Sequence, residues 1–287
     1  LHSRTVLAGF AFLMVGGGIK LAVFPLHQWL PNAYTHAPSA VSAFLAATAT
    51  KVSYYLLARV VFTIFGAAFV FEALHLHWLL VPMALAAMFA GSLAAVFQTD
   101  LKRLLAYSSI AQIGYMTLGL CMANESGLTG GIVHLFNHAL MKGGLFLAVA
   151  SVVMRTGSSS LDSIRGLGRS MPITMAAFVL GGLSLIGVPG TAGFVSKWYL
   201  VLGALERGWY AVAVLILLSS LIAVVYVWRV VETAFFAEPQ HDVCEVPWTS
   251  WLPTWILIGA TLVFGLWTDI TVGGAASAAR SLLGGGP

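Results

Sequence analysis

Charge is what this sequence has least of. Only 8% of its 287 residues are Asp, Glu, Lys or Arg, where a soluble domain carries about a quarter. Acids number 10 against 14 lysines and arginines. With 59% hydrophobic residues and a mean hydropathy of +0.92, the composition excludes an ordinary water-soluble domain. Cysteine is sparse too, with two residues. Cys121 and Cys244 lie in different regions with no second thiol near either, which excludes a disulfide framework or a thiolate metal site. The chain has no glycine-rich phosphate loop and no cluster at metal-ligand spacing, so no bound metal, nucleotide or flavin is implied. A net charge of +4 does not point to nucleic acid, because the cations are scattered along the length instead of gathered on one face.

What the sequence does have is long apolar runs. Crossing a hydrocarbon core takes about 20 residues of helix, and eight stretches qualify: roughly 5–26, 41–66, 78–98, 104–123, 129–154, 172–205, 210–236 and 251–268. They are continuous, not alternating, so they predict helices and not barrel strands. The expected fold is an all-α, polytopic transmembrane bundle of about eight helices. The connections after the third and fifth runs carry Lys102, Arg103, Arg155, Arg165 and Arg169, whereas those after the second, fourth and sixth carry only Arg207. The first set is expected to be cytoplasmic and both termini outside. Tryptophans 29, 78, 198, 248, 251 and 267 fall near run ends, as interfacial anchors do. The chain starts with Leu1 directly before an apolar run, and an amino-terminal portion is expected to precede it.

Two runs are interrupted. GGGIKLAVFPLHQWLP (16–31) holds Pro25, and GVPGTAGFVSKWYL (187–200) holds Pro189 and Gly190. Proline removes a backbone donor and glycine loosens the chain, so both runs predict broken helices. Freed backbone groups cannot face lipid, which places each break inside protein or beside water. A lysine stands close to each break, Lys20 and Lys197.

A lysine near a helix end ordinarily snorkels to the interface. Lys51, about ten residues into VSAFLAATATKVSYYLLARV (41–60), is too deep for that. An ammonium near the bilayer centre costs about 2.5 to 3.5 kcal/mol on insertion scales. Burial without an acid partner disfavours the charged form of any amine, so such a group can take up and release a proton. The acids offer no neutralising partner. Glu72, Asp100, Glu125, Asp162, Glu206, Glu238, Asp242, Glu245 and Asp269 sit in connections or at helix ends, and Glu232 is expected to pair with Arg229. His134, His138 and Lys142 recur every four residues in GGIVHLFNHALMKGGLFLAV (130–149), which puts them on one helical stripe. Imidazole is the side chain best suited to pass protons near neutral pH. His27, just after the first break, either lines a water entry or caps the helix end, and Lys102 is a further candidate for access. His75 and His77 read as surface residues; His2 and His241 carry nothing.

The stretches KLAVFPLHQWLPNAYTHAPSAVSAFLAATATK (20–51), QTDLKRLLAYSSIAQIGYMTLGL (98–120), HLFNHALMKGGLF (134–146) and GVPGTAGFVSKWYL (187–200) resemble the proton-conducting antiporter-like subunits. That family comprises the large membrane subunits of respiratory complex I, of membrane-bound hydrogenases and of Mrp-type sodium/proton antiporters. The resemblance implies two inverted five-helix repeats, each with a broken helix. Here it covers the last two helices of the first repeat (1–66), a complete second repeat (67–236), and a final helix and tail (237–287). It further implies that Lys20 and Lys197 are the lysines of the two broken helices, Lys51 the connecting lysine, and His134 and His138 the linking histidines. The glutamate that normally faces Lys20 would lie in the absent part of the first repeat. GFVSKWYLVLGALE looks most like the branch formed by the D-type Mrp antiporter chains and the hydrogenases.

These readings together lead to a proton-translocating subunit of a multisubunit cation/proton antiporter in a bacterial or archaeal plasma membrane. It would act beside other membrane subunits, with protons, possible sodium ions and lipid as its partners, and without enzymatic activity by itself. The first alternative is a proton-pumping subunit of a complex I-type NADH:quinone oxidoreductase or membrane-bound hydrogenase. The second is a non-conducting assembly scaffold. A lipid enzyme lacks support, since no nucleophile, base and orienting acid stand at a workable spacing.

Overall fold

Pro25 and Pro189 stand where the chain leaves helical geometry. In the computed structural model, which describes residues 3–240 and 242–284, α1 (Arg4–Leu21) ends at Ala22 in the left-handed region and the chain re-enters helix at α2 (Trp29–His36). The second break separates α8 (Pro172–Ile186) from α9 (Ala192–Glu206). Gly187 and Gly190 there have φ of +93° and +86°, a conformation that costs glycine least. Between these breaks run α3 (Ser39–Ala58), continued by a π-helical turn at Arg59–Ile64, then α4 (His77–Val96), α5 (Leu101–Met122) and α6 (Glu125–Thr156). After the short α7 (Leu167–Ser170) and the broken pair come α10 (Tyr210–Phe236), α11 (Trp248–Leu266) and α12 (Asp269–Leu282). Residues His2 and His241, and the ends at Leu1 and 285–287, lie outside the described residues.

Seven helices among the described residues are long and apolar enough to cross a membrane, and α8 is a shorter apolar one. The seven together with the broken α8–α9 pair match the eight runs, with ends shifted by a few residues. The protein is a multi-pass membrane protein. Among the described residues the chain is helical apart from its connections, with one isolated bridge between Asp100 and Ser160.

The helix α6 is the hub, packed against α3, α5, α8, α9, α11 and α12. Gly130, Gly131, Gly143 and Gly144 lie along it, and small residues are what let helices close on one another where lipid supplies no hydrophobic drive between them. Beside it, α5 is buried on nearly every face, so polar side chains on α5 point into protein whichever way they turn.

Two features depart from expectation. The tail after α11 holds a further helix, α12, which packs along α6, and Arg280 pairs with Glu125 at 2.6 Å. Arg229 does not pair with Glu232. Its Nη1 donates instead to the carbonyls of Val96 (2.6 Å) and Gln98 (2.9 Å) at the carboxy-terminal end of α4. Those carbonyls have no helical donor of their own, so a guanidinium there satisfies the helix end and complements its dipole.

The acidic connection before α11 performs the mirror task. Glu245 accepts from the backbone N–H of Ile173 (2.9 Å) and Thr174 (3.1 Å) and from Thr174 Oγ1 (2.5 Å), capping the amino terminus of α8 from another segment. Removing a carboxylate cap costs about 1–2 kcal/mol. Glu245→Ala is therefore expected to lower the thermal unfolding midpoint of the purified assembly while leaving helix content unchanged, as read by circular dichroism.

Candidate functional site

The second helix break creates the first half of the site. Because α8 stops at Ile186, the carbonyls of its last turn lose their in-helix donors. Lys197, in the second turn of α9, folds back onto them, and its Nζ donates to Leu185 O at 3.0 Å and Ile186 O at 2.7 Å. The ammonium also lies 4.9 Å from the centre of the Tyr115 ring, a cation–π distance. Tyr115 is held from behind by its hydroxyl, which contacts Ile216 O at 3.3 Å and Ser220 Oγ at 3.1 Å. Lys197 is buried at 6% exposure and reaches protein dipoles, not headgroups.

The next step inward is His134 on α6, wholly buried. Its ring centre is 5.7 Å from that of Tyr115. Its Nδ1 meets Ser196 Oγ at 2.8 Å, one residue before Lys197, and its Nε2 meets Gln112 Oε1 at 2.9 Å on α5. One turn along α6, His138 stacks on His134 with ring centres 6.1 Å apart and planes 6° from parallel. Both ring nitrogens of His138 are buried, and neither has a hydrogen-bond partner among the described residues. Lys51 on α3 is buried at 9% exposure and donates to Ala46 O. Its helix, α3, packs along α6, which carries His134, His138 and Lys142. Lys142 is wholly buried and donates to Leu105 O at 2.8 Å and to Ser108 Oγ.

Lys51, His138, His134 and Lys197 thus come together on three helices, with Lys142 beside them. No aspartate or glutamate is buried among the described residues. Basic groups sharing a low-dielectric interior without counter-charge are costly to charge together.

The other candidates lie elsewhere. Lys102 donates to Ala37 O at 3.0 Å, tying the start of α5 to the end of α2. Lys20 is exposed on the last turn of α1, apart from the buried chain. His27, half-buried, stacks on Phe24 at 5.0 Å. Pro25 lies in the turn between α1 and α2.

Gln112, Tyr115, Ser108 and Ser196 belong to the site and were not among the residues singled out from sequence. A signal existed for three of them: Ser108, Gln112 and Tyr115 fall at intervals of four and three in an apolar helix, the spacing of one helical face. Asn137 is a further buried polar residue, its Nδ2 donating to Ala192 O at 2.7 Å, which bonds α6 to the first residue of α9.

Known proteins are similar to this chain in sequence and in architecture. NADH-quinone oxidoreductase subunit N of Desulforudis audaxviator (strain MP104C) is 48% identical over 287 aligned residues, 94% of this chain and 56% of that protein. F(420)H(2) dehydrogenase subunit N of Methanosarcina mazei is 33% identical, across 96% of this chain and 58% of that protein. The chain therefore spans little more than half the length of these relatives. Among solved structures, a chain of the Mrp complex from Dietzia sp. DQ12-45-1b superposes with a TM-score of 0.91 at 25% identity, covering 98% of this chain and 60% of that one. A chain of respiratory complex I from Thermus thermophilus with bound NADH gives 0.82 at 26% identity, covering 99% and 61%. The family model described as "NADH:quinone oxidoreductase/Mrp antiporter, TM" matches residues 1–223, and with a buried lysine and histidine chain built around a broken helix, this protein belongs to that family.

Proposed function

We propose that the protein is a proton-translocating membrane subunit in which Lys51 passes protons through His138 and His134 to Lys197. The observation that carries this reading is the arrangement of four buried basic groups without a buried carboxylate among the described residues. A scaffold has no use for amines and imidazoles at that depth, since each is expensive to place there. His138 is the pivot. With neither ring nitrogen engaged by a partner among the described residues, it is free to exchange hydrogen bonds, whereas His134 is fixed in orientation by Ser196 and Gln112.

The names of the relatives support redox coupling. Relatives called subunit N of NADH-quinone oxidoreductases and of an F(420)H(2) dehydrogenase favour a redox-driven assembly over a cation exchanger. The superposition on a chain of an Mrp complex keeps cation exchange as the second reading. In either case the subunit sits among other membrane proteins and is not itself the catalyst. The cation pattern of the connections supports both termini on the outer face.

Lys197→Ala in the complete assembly, reconstituted into vesicles, tests the transport reading. Proton translocation is expected to fall about tenfold or more, a barrier change of about 1.4 kcal/mol, with the assembly intact on native gels. Undiminished translocation by an intact assembly would establish the scaffold instead.

A further inference from the structure

At the membrane face where α4 and α10 begin, a polar hollow and an apolar groove share a wall. The hollow is lined by Glu72, His77, Arg207 and Trp209 among others. The groove follows the α4–α10 seam past Trp78, Val81, Pro82 and Val212, with His77 and Trp209 common to both. The His77 ring stands 5.3 Å from Trp78 and 6.3 Å from Trp209, so three aromatic rings mark the junction. Tryptophan in such a place is the residue of the headgroup level.

Neither charge in the hollow meets an opposite charge among the described residues. Arg207 donates through Nε to Met122 O at 2.5 Å and lies 5.8 Å over the Trp209 ring, which orients the guanidinium and leaves both terminal nitrogens without a partner among the described residues. The Glu72 carboxylate has no hydrogen bond and no ion pair among the described residues, with Arg207 or with anything else. A cation and an anion that share one hollow without meeting are complementary to a dipolar ligand. A guanidinium fork suits a phosphodiester, and a carboxylate suits an N–H donor. The groove below would take an apolar chain. A choline headgroup has no N–H to donate, and an anionic glycerol headgroup brings Glu72 nothing of opposite charge.

We propose that this composite site binds one phospholipid with a primary-amine headgroup, its phosphodiester on Arg207, its ammonium on Glu72 and one acyl chain along the α4–α10 groove. None of these residues belongs to the buried lysine and histidine chain, so the proposal stands or falls apart from the transport reading.

The test uses the complete assembly, stripped of lipid in detergent and placed in nanodiscs with equal amounts of phosphatidylethanolamine and phosphatidylcholine. Native mass spectrometry counts the lipid retained. Ethanolamine lipid should be retained over choline lipid on the order of tenfold, as one charge-assisted hydrogen bond supplies. Glu72→Gln should abolish the preference, and Arg207→Gln should lower retention of both lipids. Trp78→Ala should lower both without changing their ratio. Equal retention of the two lipids by the unmodified protein, an unchanged preference in Glu72→Gln, or a neighbouring subunit's side chains filling the groove in a map of the assembly would each overturn the proposal.

Discussion

Replacing Lys51 with methionine is expected to reduce proton translocation by the complete assembly about tenfold or more while leaving its stability nearly unchanged. The asymmetry follows from where the amine sits. Methionine matches the length and volume of the lysine stem, so the packing between α3 and α6 survives. What disappears is one charge-switching group on the helix packed against α6 and its His134, His138 and Lys142, and a relay of few members has no detour. Removing a buried ammonium also removes its burial cost, so a thermal midpoint equal to or above that of the unmodified assembly is expected alongside the lost flux. A midpoint and flux that fell together would instead mark Lys51 as a structural residue.

The opposite pattern is expected at Gly193. A β-carbon there would lie 1.8 Å from the carbonyl oxygen of Ser184 and 2.9 Å from its carbonyl carbon. Both are backbone atoms of α8 and cannot rotate away. The close approach of α8 to the first turn of α9 is what brings the end of α8 under Lys197, so Gly193→Ala must push the two half-helices apart. Overpacking of a tight core costs about 1–3 kcal/mol, and a clash with main chain belongs at the top of that range. Loss of the assembled subunit from the membrane fraction is the expected result, measured by native gel against the unmodified protein. Normal assembly with normal transport would show that the break is softer than its geometry says.

Backbone chemistry was far easier to read from sequence than side-chain partnership. Pro25 and Pro189 announce their breaks because proline cannot donate in any context, and the apolar runs announce their helices because length and continuity are local properties. The stripe of His134, His138 and Lys142 was legible for the same reason, since a spacing of four fixes one face of a helix before any tertiary structure is known. The partners of those residues were not. Gln112 lies 22 residues before His134 and Ser196 lies 62 after it, and only the packing of α5 and α9 on α6 brings them into contact. Arg229 misled for a related reason. Glu232 is its neighbour in sequence, but the unpaired carbonyls ending α4, more than 130 residues away, offered more hydrogen bonds. The α12 helix was missed because its glycines and alanines carry little apolar weight of their own, and its place along α6 is set by contact and by Arg280.

The central claim is that Lys51 and Lys197 serve one path in series, and a double-mutant comparison addresses it most directly. Proton translocation is measured in vesicles carrying the complete assembly with Lys51→Met, with Lys197→Ala, and with both. Groups acting in series are non-additive, so the account predicts that the double variant loses no more than the worse single one. A double variant that loses clearly more than either single one would show that the two lysines act independently and not as one relay, and flux that survives both substitutions would contradict the relay itself.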